Sequence, residues 1–551
     1  MRAYGSQVSF QIVRRTGLTF PMSQGASPTA ETAVWTPSVN PWWIAIAVML
    51  ATILEVLDTS IANVALPNMA GSMSSSLDEA TWVLTSYLVA NAIVLPMTGW
   101  LSSFFGRKRF LITCTLLFSL SSAVCGIANS MGMLILARIL QGAAGGALLP
   151  ISQAILMESF PPAKRGMAMA VYGMGVVVAP IFGPVLGGWL TDNYSWRWIF
   201  YINVPFGVLA VLLLQSFVED PPYLREAHEN RGGKIDYIGF GAMAISLALL
   251  QIVLDRGQQD DWFNAAWICW GSGISFVSMV FFIFWEMRVQ HPLVDLRVFR
   301  NRSFAVGTCL MVIAGVMIYS TTSLLPMFLQ GLMGYPSLNS GMAMSLRGVG
   351  AIVAMMVVGK LSGKVDARIL INVGWLVLVY ACWQLGNITT DVSPRNLDWP
   401  NVLTGLGMGL LMVPLMTASL ADVSNEQMGN ASGVNNLART MGGSMGISLT
   451  TALIVRGTQT HSALLVGNLS PYRPEFQHYL QSATGMLSQH SDPASAQQQA
   501  YGMLYGMMQQ QANLFAYVDT FRLLGLLCLL CVPIVFLLKK AKSHGGSVAL
   551  H

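Results

Sequence analysis

Two acids stand three residues apart in an otherwise apolar run: Glu55 and Asp58, inside residues 42–65. Positions three apart on a helix share a face, so the two carboxylates are expected one above the other. Neighbouring carboxylates hinder each other's ionisation, which suits a group that takes a proton on one side of a barrier and releases it on the other. The alternative is a structural acid that caps or pairs without cycling. A third charge, Arg138, lies in the run 132–157. At about 1.5 Å per helical residue, Asp58 sits roughly 13 Å from Pro67, where its span leaves the membrane, and Arg138 roughly 9 Å from Gly132, where its span enters from the same side. The two are therefore expected at similar depth, with Arg138 holding Asp58 ionised until a proton or substrate displaces it. An arginine that only satisfies backbone carbonyls is the alternative reading. A charged group near the middle of a membrane helix costs about 2.5–3.5 kcal/mol on insertion scales. Such groups persist only with a partner, a wet cavity or a function.

The elements that must position these charges follow from composition. Of 551 residues, 54% are hydrophobic and 10% charged, with mean hydropathy +0.56. Soluble domains carry about 25% charged residues, so much of this surface must face lipid. A membrane span needs about 20 apolar residues, and fourteen such runs are present: 42–65, 80–103, 110–129, 132–157, 167–190, 197–217, 235–254, 265–286, 304–330, 338–361, 369–386, 400–420, 430–455 and 514–538. The net charge of +5 comes from short basic clusters between these runs, not from a nucleic-acid surface. All seven cysteines lie inside apolar segments, where they read as small fillers rather than metal or redox groups.

Loop charges set the orientation. With a cytoplasmic N-terminus, the inner loops hold Arg107, Lys108 and Arg109; Lys164 and Arg165; Arg225, Arg231 and Lys234; Arg288, Arg297, Arg300 and Arg302; Lys360, Lys364 and Arg368; and Lys539, Lys540 and Lys542. The positive-inside rule then puts both termini in the cytoplasm. Residues 1–41 are expected to be a disordered tail: no apolar core follows Arg14 and Arg15, so no cleavable signal is read, and Met22 opens an alternative start. One outer segment, 456–513, reads as a single long loop, whose stretch 496–518 could extend the last span. Loops of that length are commonly functional or disordered.

The chain also repeats itself. Gly99-Trp100-Leu101-Ser102 leads from the second span into the basic turn Arg107–Arg109, and Gly359-Lys360-Leu361-Ser362 leads from the tenth span into Lys364 and Arg368. This divides the chain into a tail 1–41, a six-span half 42–217, a linker 218–303 with two extra spans, a second six-span half 304–540, and a tail 541–551. Paired halves around a midplane site are transporter architecture.

These motifs resemble the major facilitator superfamily, in particular its fourteen-span drug:proton antiporters and their EmrB-type subgroup. Leu57-Asp58-Thr59-Ser60-Ile61-Ala62-Asn63-Val64-Ala65-Leu66-Pro67 is similar to the first-span signature of these antiporters. Gly99, Leu101, Gly106, Arg107 and Lys108 resemble the loop motif after span two, with Ser103 where relatives carry an Asp and Gly363 at the corresponding place in the second half. A charge latch attributed to that Asp is therefore not expected in its usual form. Arg138, Gln141 and Gly142 resemble the span-four motif. Gly183, Pro184, Gly187 and Gly188 resemble the span-five antiporter motif, and Trp196 to Gly207 opens span six in the fourteen-span manner.

The resemblance implies an all-α membrane protein of the major facilitator fold, fourteen helices arranged 6+2+6, in the bacterial inner membrane. It implies proton-driven efflux of amphipathic or lipophilic small molecules by alternating access, with Asp58, Glu55 and Arg138 in proton coupling. The alternative is a same-fold exporter of one metabolite such as a siderophore, peptide or sugar. It further implies a periplasmic membrane-fusion adaptor and an outer-membrane channel as partners in a Gram-negative cell, with 456–513 the docking element or a loop without a partner. The small residues of the motifs are packing devices, and Pro184 is expected to bend its helix. Asn63, Gln330, Arg347 and Arg439 are the cavity candidates, the two arginines being equally readable as carbonyl partners. The 33 methionines suit either an adaptable pocket or ordinary filler. No Walker-type loop, metal cluster, cofactor motif or clustered catalytic groups are read, so the proton gradient is the expected energy source and an enzyme is not expected.

Overall fold

The computed structural model describes residues 37–220, 236–290, 292–335, 337–362, 364–389, 393–489 and 492–539. The expected tails (bar residues 37–41), and Met22, Arg225, Arg231, Lys234, Gly363, Lys540 and Lys542, lie outside the described residues.

Helices begin where the sequence supplies caps. α1 (Pro41–Ser72) starts with Asn40 accepting from the Trp42 amide and proline in the first turn. α2 (Leu77–Phe105) opens on a capping box between Ser76 and Glu79, which satisfies two orphan amides at once. Gly106 then takes φ +83°, a conformation that side-chain-bearing residues rarely adopt, and α3 (Arg107–Ile127) follows directly. The fourth span is two helices, α4 (Met131–Gly145) and α5 (Leu148–Ser159), interrupted at Gly146–Ala147. α6 (Pro162–Asn193) runs unbroken through position 184. The sixth span is α7 (Trp198–Tyr201) continued by α8 (Asn203–Phe217).

The two linker helices, α9 (Tyr237–Arg256) and α10 (Ala266–Arg288), pair through reciprocal bonds between Ser246 and Ser275 at 3.0 and 2.8 Å. The second half comprises α11 (Arg302–Pro326), α12 (Ser337–Leu361), α13 (Ala367–Leu385), α14 (Asp398–Leu420), α15 (Met428–Leu465), α16 (Pro474–Leu487) and α17 (Pro493–Val535). Among the described residues, thirteen helical segments are long and apolar enough to cross a membrane. The fourteenth expected span, 430–455, lies within α15. Its Asn430, Ser432, Asn435 and Asn436 are buried; they lower its hydropathy because they serve helix contacts rather than lipid, as polar residues do in membrane bundles.

The expected long loop is instead mostly helical. α15 has 38 residues and α17 has 43, or roughly 57 and 64 Å at helical rise, against about 30 Å of bilayer core. Both overrun the membrane at the same end. There Thr458 bonds Asn513 at 2.7 Å, Ser462 bonds Gln509 at 3.1 Å, and His461 pairs with Asp519 at 2.8 Å. α16 packs on the protruding part of α17, with Phe476 against Tyr501.

The two halves meet at the opposite, basic end, where α2 runs into the Arg107 turn. α6 packs on α12, and α2 and α5 pack on α15. A Cβ on Gly99 would lie 2.4 Å from the Asn430 amide, and one on Gly433 2.5 Å from the Leu95 carbonyl. Only glycine permits backbones this close. Further along α6 the partner changes: Gly166 faces Ser362, just past α12, and Gly173 faces α12 itself, whereas Gly175, Gly183 and Gly187 face α1 of their own half.

Candidate functional site

Asp58 is 2% exposed and Arg138 fully buried. Arg138 Nη1 donates to Asp58 Oδ2 at 2.5 Å and to Gln141 Oε1 at 2.8 Å, while its Nε donates to the Val83 carbonyl at 3.1 Å. Asp58 Oδ1 accepts from Gln141 Nε2 at 2.9 Å and from Asn203 Nδ2 at 2.8 Å. The guanidinium also lies over the Tyr87 ring, 4.1 Å from its centroid. The similar depth read from span lengths is thus a direct contact. α1, α4 and α8 meet at one carboxylate, α2 holds the guanidinium through Val83 and Tyr87, and Ser122 of α3 joins them through Asn203 at 3.0 Å. A buried ion pair is poor evidence for stability, because desolvation offsets its attraction; removing one partner of such a pair costs about 3–5 kcal/mol. The arrangement is better understood as a charge whose state five helices can feel.

Glu55 shares that helix face but a different environment. Oε1 accepts from Asn91 of α2 at 3.1 Å, and Oε2 is buried with no hydrogen-bond partner. Tyr172 of α6 stands nearby, donating to Thr52 at 2.9 Å. Asn203, Asn91, Ser122 and Tyr172 were not singled out in the sequence. Asn203 lies within the span-six motif and could have been, being a polar residue in an apolar run; the others carry no pattern that marks them.

The conformational-motif residues gather at the basic end or in helix seams. Arg107 and Glu158 form a buried ion pair between α3 and α5. The Lys108 amide donates to Asp220 Oδ1 at 2.8 Å and its Nζ to the Gln215 carbonyl at 2.7 Å. Where relatives' Asp is replaced by Ser103, another acid stands at the start of α15. Asp295, from the linker, accepts from Gln427 Nε2 at 3.0 Å, and its backbone makes a two-way bond with the Asn430 amide group at 3.1 and 3.0 Å. A Cβ on Gly142 would lie 2.3 Å from the Tyr87 carbonyl and one on Gly183 2.3 Å from Ser60 Oγ, whereas Gly187 is less tight and Gly188 has nothing within 4 Å. The packing role expected for Gly188 is therefore not supported.

The cavity candidates separate. Asn63 is exposed and donates to the Thr59 carbonyl at 2.9 Å. Gln330 occupies an exposed position on the π-helical turn Met327–Leu332. Arg347 Nη1 and Nη2 reach neutral oxygens of Thr321, Thr322 and Asn401 at 3.0–3.5 Å, and its Nε is buried with no partner. Arg439 is half-buried and donates to Tyr319 at 3.4 Å. Among the described residues neither arginine pairs with a carboxylate, and no three His, Cys, Asp or Glu residues group as metal ligands.

The Major Facilitator Superfamily profile matches residues 48–447. The chain is 35% identical to the multidrug export protein EmrB of Escherichia coli (strain K12), covering 91% of this chain and 96% of that protein. It is 34% identical to the fatty acid resistance protein FarB of Neisseria gonorrhoeae, covering 92% and 97%. A crystal structure of a double-tryptophan XylE mutant superposes with TM-score 0.58 at 14% identity, covering 91% of this chain and 96% of that one. The human organic anion transporter MFSD10 does so with TM-score 0.55 at 16% identity, covering 89% and 100%; at such identities the likeness concerns the fold.

Proposed function

The chain belongs to the major facilitator superfamily, and from that premise we propose that it is a proton-driven exporter of amphipathic small molecules. It is a multi-pass membrane protein and a secondary transporter, not an enzyme. Relatives named for multidrug export and for fatty acid resistance support a range of lipophilic cargo rather than one compound.

The observation that carries the coupling is Asp58, a carboxylate buried in the membrane and held by Arg138, Gln141 and Asn203. A proton arriving at Oδ2 competes with the guanidinium for the same oxygen. Protonation cancels the ion pair while leaving Oδ1 able to accept from Gln141 and Asn203. The freed cation must then find other acceptors, which shifts α4 relative to α1 and so links proton uptake to movement of the half. The inter-half contacts at the basic end support a conformation closed on that side. By the positive-inside rule the basic end faces the cytoplasm, which makes this the outward-facing state in the inner membrane, with both termini inside.

The decisive test is transport by proteoliposomes under an imposed pH gradient, with a panel of lipophilic compounds. Export of several unrelated compounds is expected, and Asp58→Asn should lose its gradient dependence. Full pH-driven export by that variant would refute the coupling role, and transport of a single compound would favour a one-metabolite exporter.

The protruding helices α15–α17 are assigned to docking with a periplasmic membrane-fusion adaptor, itself continuous with an outer-membrane channel. Tyr472 is 94% exposed and Met486 70% on this outgrowth, outside the length a bilayer covers. Replacing residues 466–492 by a short Gly/Ser linker should abolish adaptor capture while proteoliposome transport persists. Unchanged capture would mean an outgrowth without that partner.

A further inference from the structure

The face of α15 that joins the two halves ends on a cation. Ser432 and Asn436, one turn apart, both bond Gln153 of α5, at 3.1 and 2.6 Å. Three residues further along the same face stands Arg439, roughly 4.5 Å farther from the basic end. On the other half, Ser152 of α5 bonds the Val48 carbonyl of α1 at 3.2 Å, and Glu55 lies seven residues beyond Val48, roughly 10 Å on. Both charges therefore lie past the α5 contact, on the side away from the basic end, and Arg439 is within electrostatic reach of Glu55 and Tyr172.

The charges at this floor do not cancel by contact. Asp58 and Arg138 neutralise each other inside the first half. The groups facing Glu55 are Asp58 on α1, Tyr87 and Asn91 on α2, Tyr172 on α6 and Arg439 on α15. Arg439 itself donates to one neutral hydroxyl, at the long distance of 3.4 Å, and is only half-buried. A guanidinium has five donors in a planar fork suited to two-point contact with an anion, and most of these are uncommitted. The residue next to it on the floor, Tyr319, supplies an aromatic wall.

The geometry points to Arg439 as the residue that selects cargo by charge, receiving the carboxylate or other anionic group of an amphipathic molecule at the floor of the cleft. This rests on the export reading above and adds the group recognised. It also gives Glu55 a defined effect. An ionised Glu55 repels an anion seated at Arg439 and a neutral side chain does not, so anion binding and proton release are not exchanged at Glu55. That leaves the exchange to Asp58.

The test is equilibrium binding to the detergent-solubilised full chain of three matched probes: an anthracene carboxylate, its methyl ester and the corresponding quaternary ammonium. Arg439→Gln should weaken the carboxylate about 10- to 100-fold, the range expected for loss of a charge-assisted contact, and change the ester less than about threefold. Arg439→Lys, which keeps the charge, should lose less than the glutamine variant, and Glu55→Gln should bind the carboxylate several-fold more tightly than the wild type. Equal loss for all three probes would assign Arg439 to helix packing through Tyr319 and overturn the proposal, as would an unchanged carboxylate affinity. Binding needs no gradient: if it depends on Arg439 while no pH-driven transport occurs, the proton-driven reading falls and this one stands.

Discussion

The two halves hold their membrane-embedded arginines differently. In the first, Asp58 and Arg138 meet at 2.5 Å and their remaining bonds are drawn from α2, α4 and α8. In the second, Arg347 and Arg439 are half-buried, and among the described residues only neutral oxygens hold them. Burial makes electrostatics strong and missing partners costly. A closed ion pair therefore ties its helices together, whereas a cation without a carboxylate partner stays available to something that arrives from outside. The repeated sequence motif hides this asymmetry: Gly-x-Leu-Ser recurs, but the acids do not.

The largest test of that contrast lies at the ion pair. Asp58→Asn should lower gradient-driven export at least about 100-fold if it carries the proposed coupling, a size typical of lost acid–base function, and Arg138→Gln should destabilise the fold by about 3–5 kcal/mol by stranding the acid. Thermal melts in detergent beside proteoliposome transport separate the two effects, and wild-type transport by Asp58→Asn would dissolve the contrast. Next in size is the seam that holds the halves together. Gly99→Val places a side chain against the Asn430 backbone, with an overpacking cost of about 1–3 kcal/mol. Labelling of a single cysteine introduced at the basic end should rise, because that end can no longer close; unchanged labelling would mean that the seam gives way.

Arg347→Gln is a smaller perturbation. It removes a cation that has no carboxylate partner, so a loss of about 1 kcal/mol in stability is expected, well below that for Arg138. Equal melting losses for the two arginines would break the comparison of the halves. The smallest effect belongs to Gly188→Ala, where nothing lies within 4 Å. It should melt within about 0.5 kcal/mol of wild type, while Gly183→Ala, facing Ser60 at 2.3 Å, should cost more than 1 kcal/mol by the same overpacking argument.

Much of the site was legible because one-dimensional features forced it. Asp58 and Arg138 stood out as charges in apolar runs, and helical rise alone set them at one depth. Asn203 and Tyr172 did not stand out, since a single amide or phenol in a span is unremarkable until a carboxylate is found beside it. The segment 456–513 misled for the opposite reason. Its Gln, Ser and Met content lacks a lipid-facing signature, so it reads as loop, yet α15 and α17 stabilise each other along their length beyond the membrane. α15 was similarly disguised, its buried asparagines depressing the hydropathy that marks a span.

What the sequence determined by itself was the set of helices and the rank of their charges. Apolar length fixes crossing, since backbone groups in lipid must bond within a helix, and the rarity of ions in such runs marks those that matter. What only the tertiary structure decided was partnership. Which carboxylate meets which arginine, which glycines touch backbone and which face open space, and which cation is left without an acid all depend on how helices far apart in the chain rotate against one another. A rotation of one residue, about 100° on a helix of 3.6 residues per turn, would turn Arg138 away from Asp58, and no local pattern in the sequence records that angle.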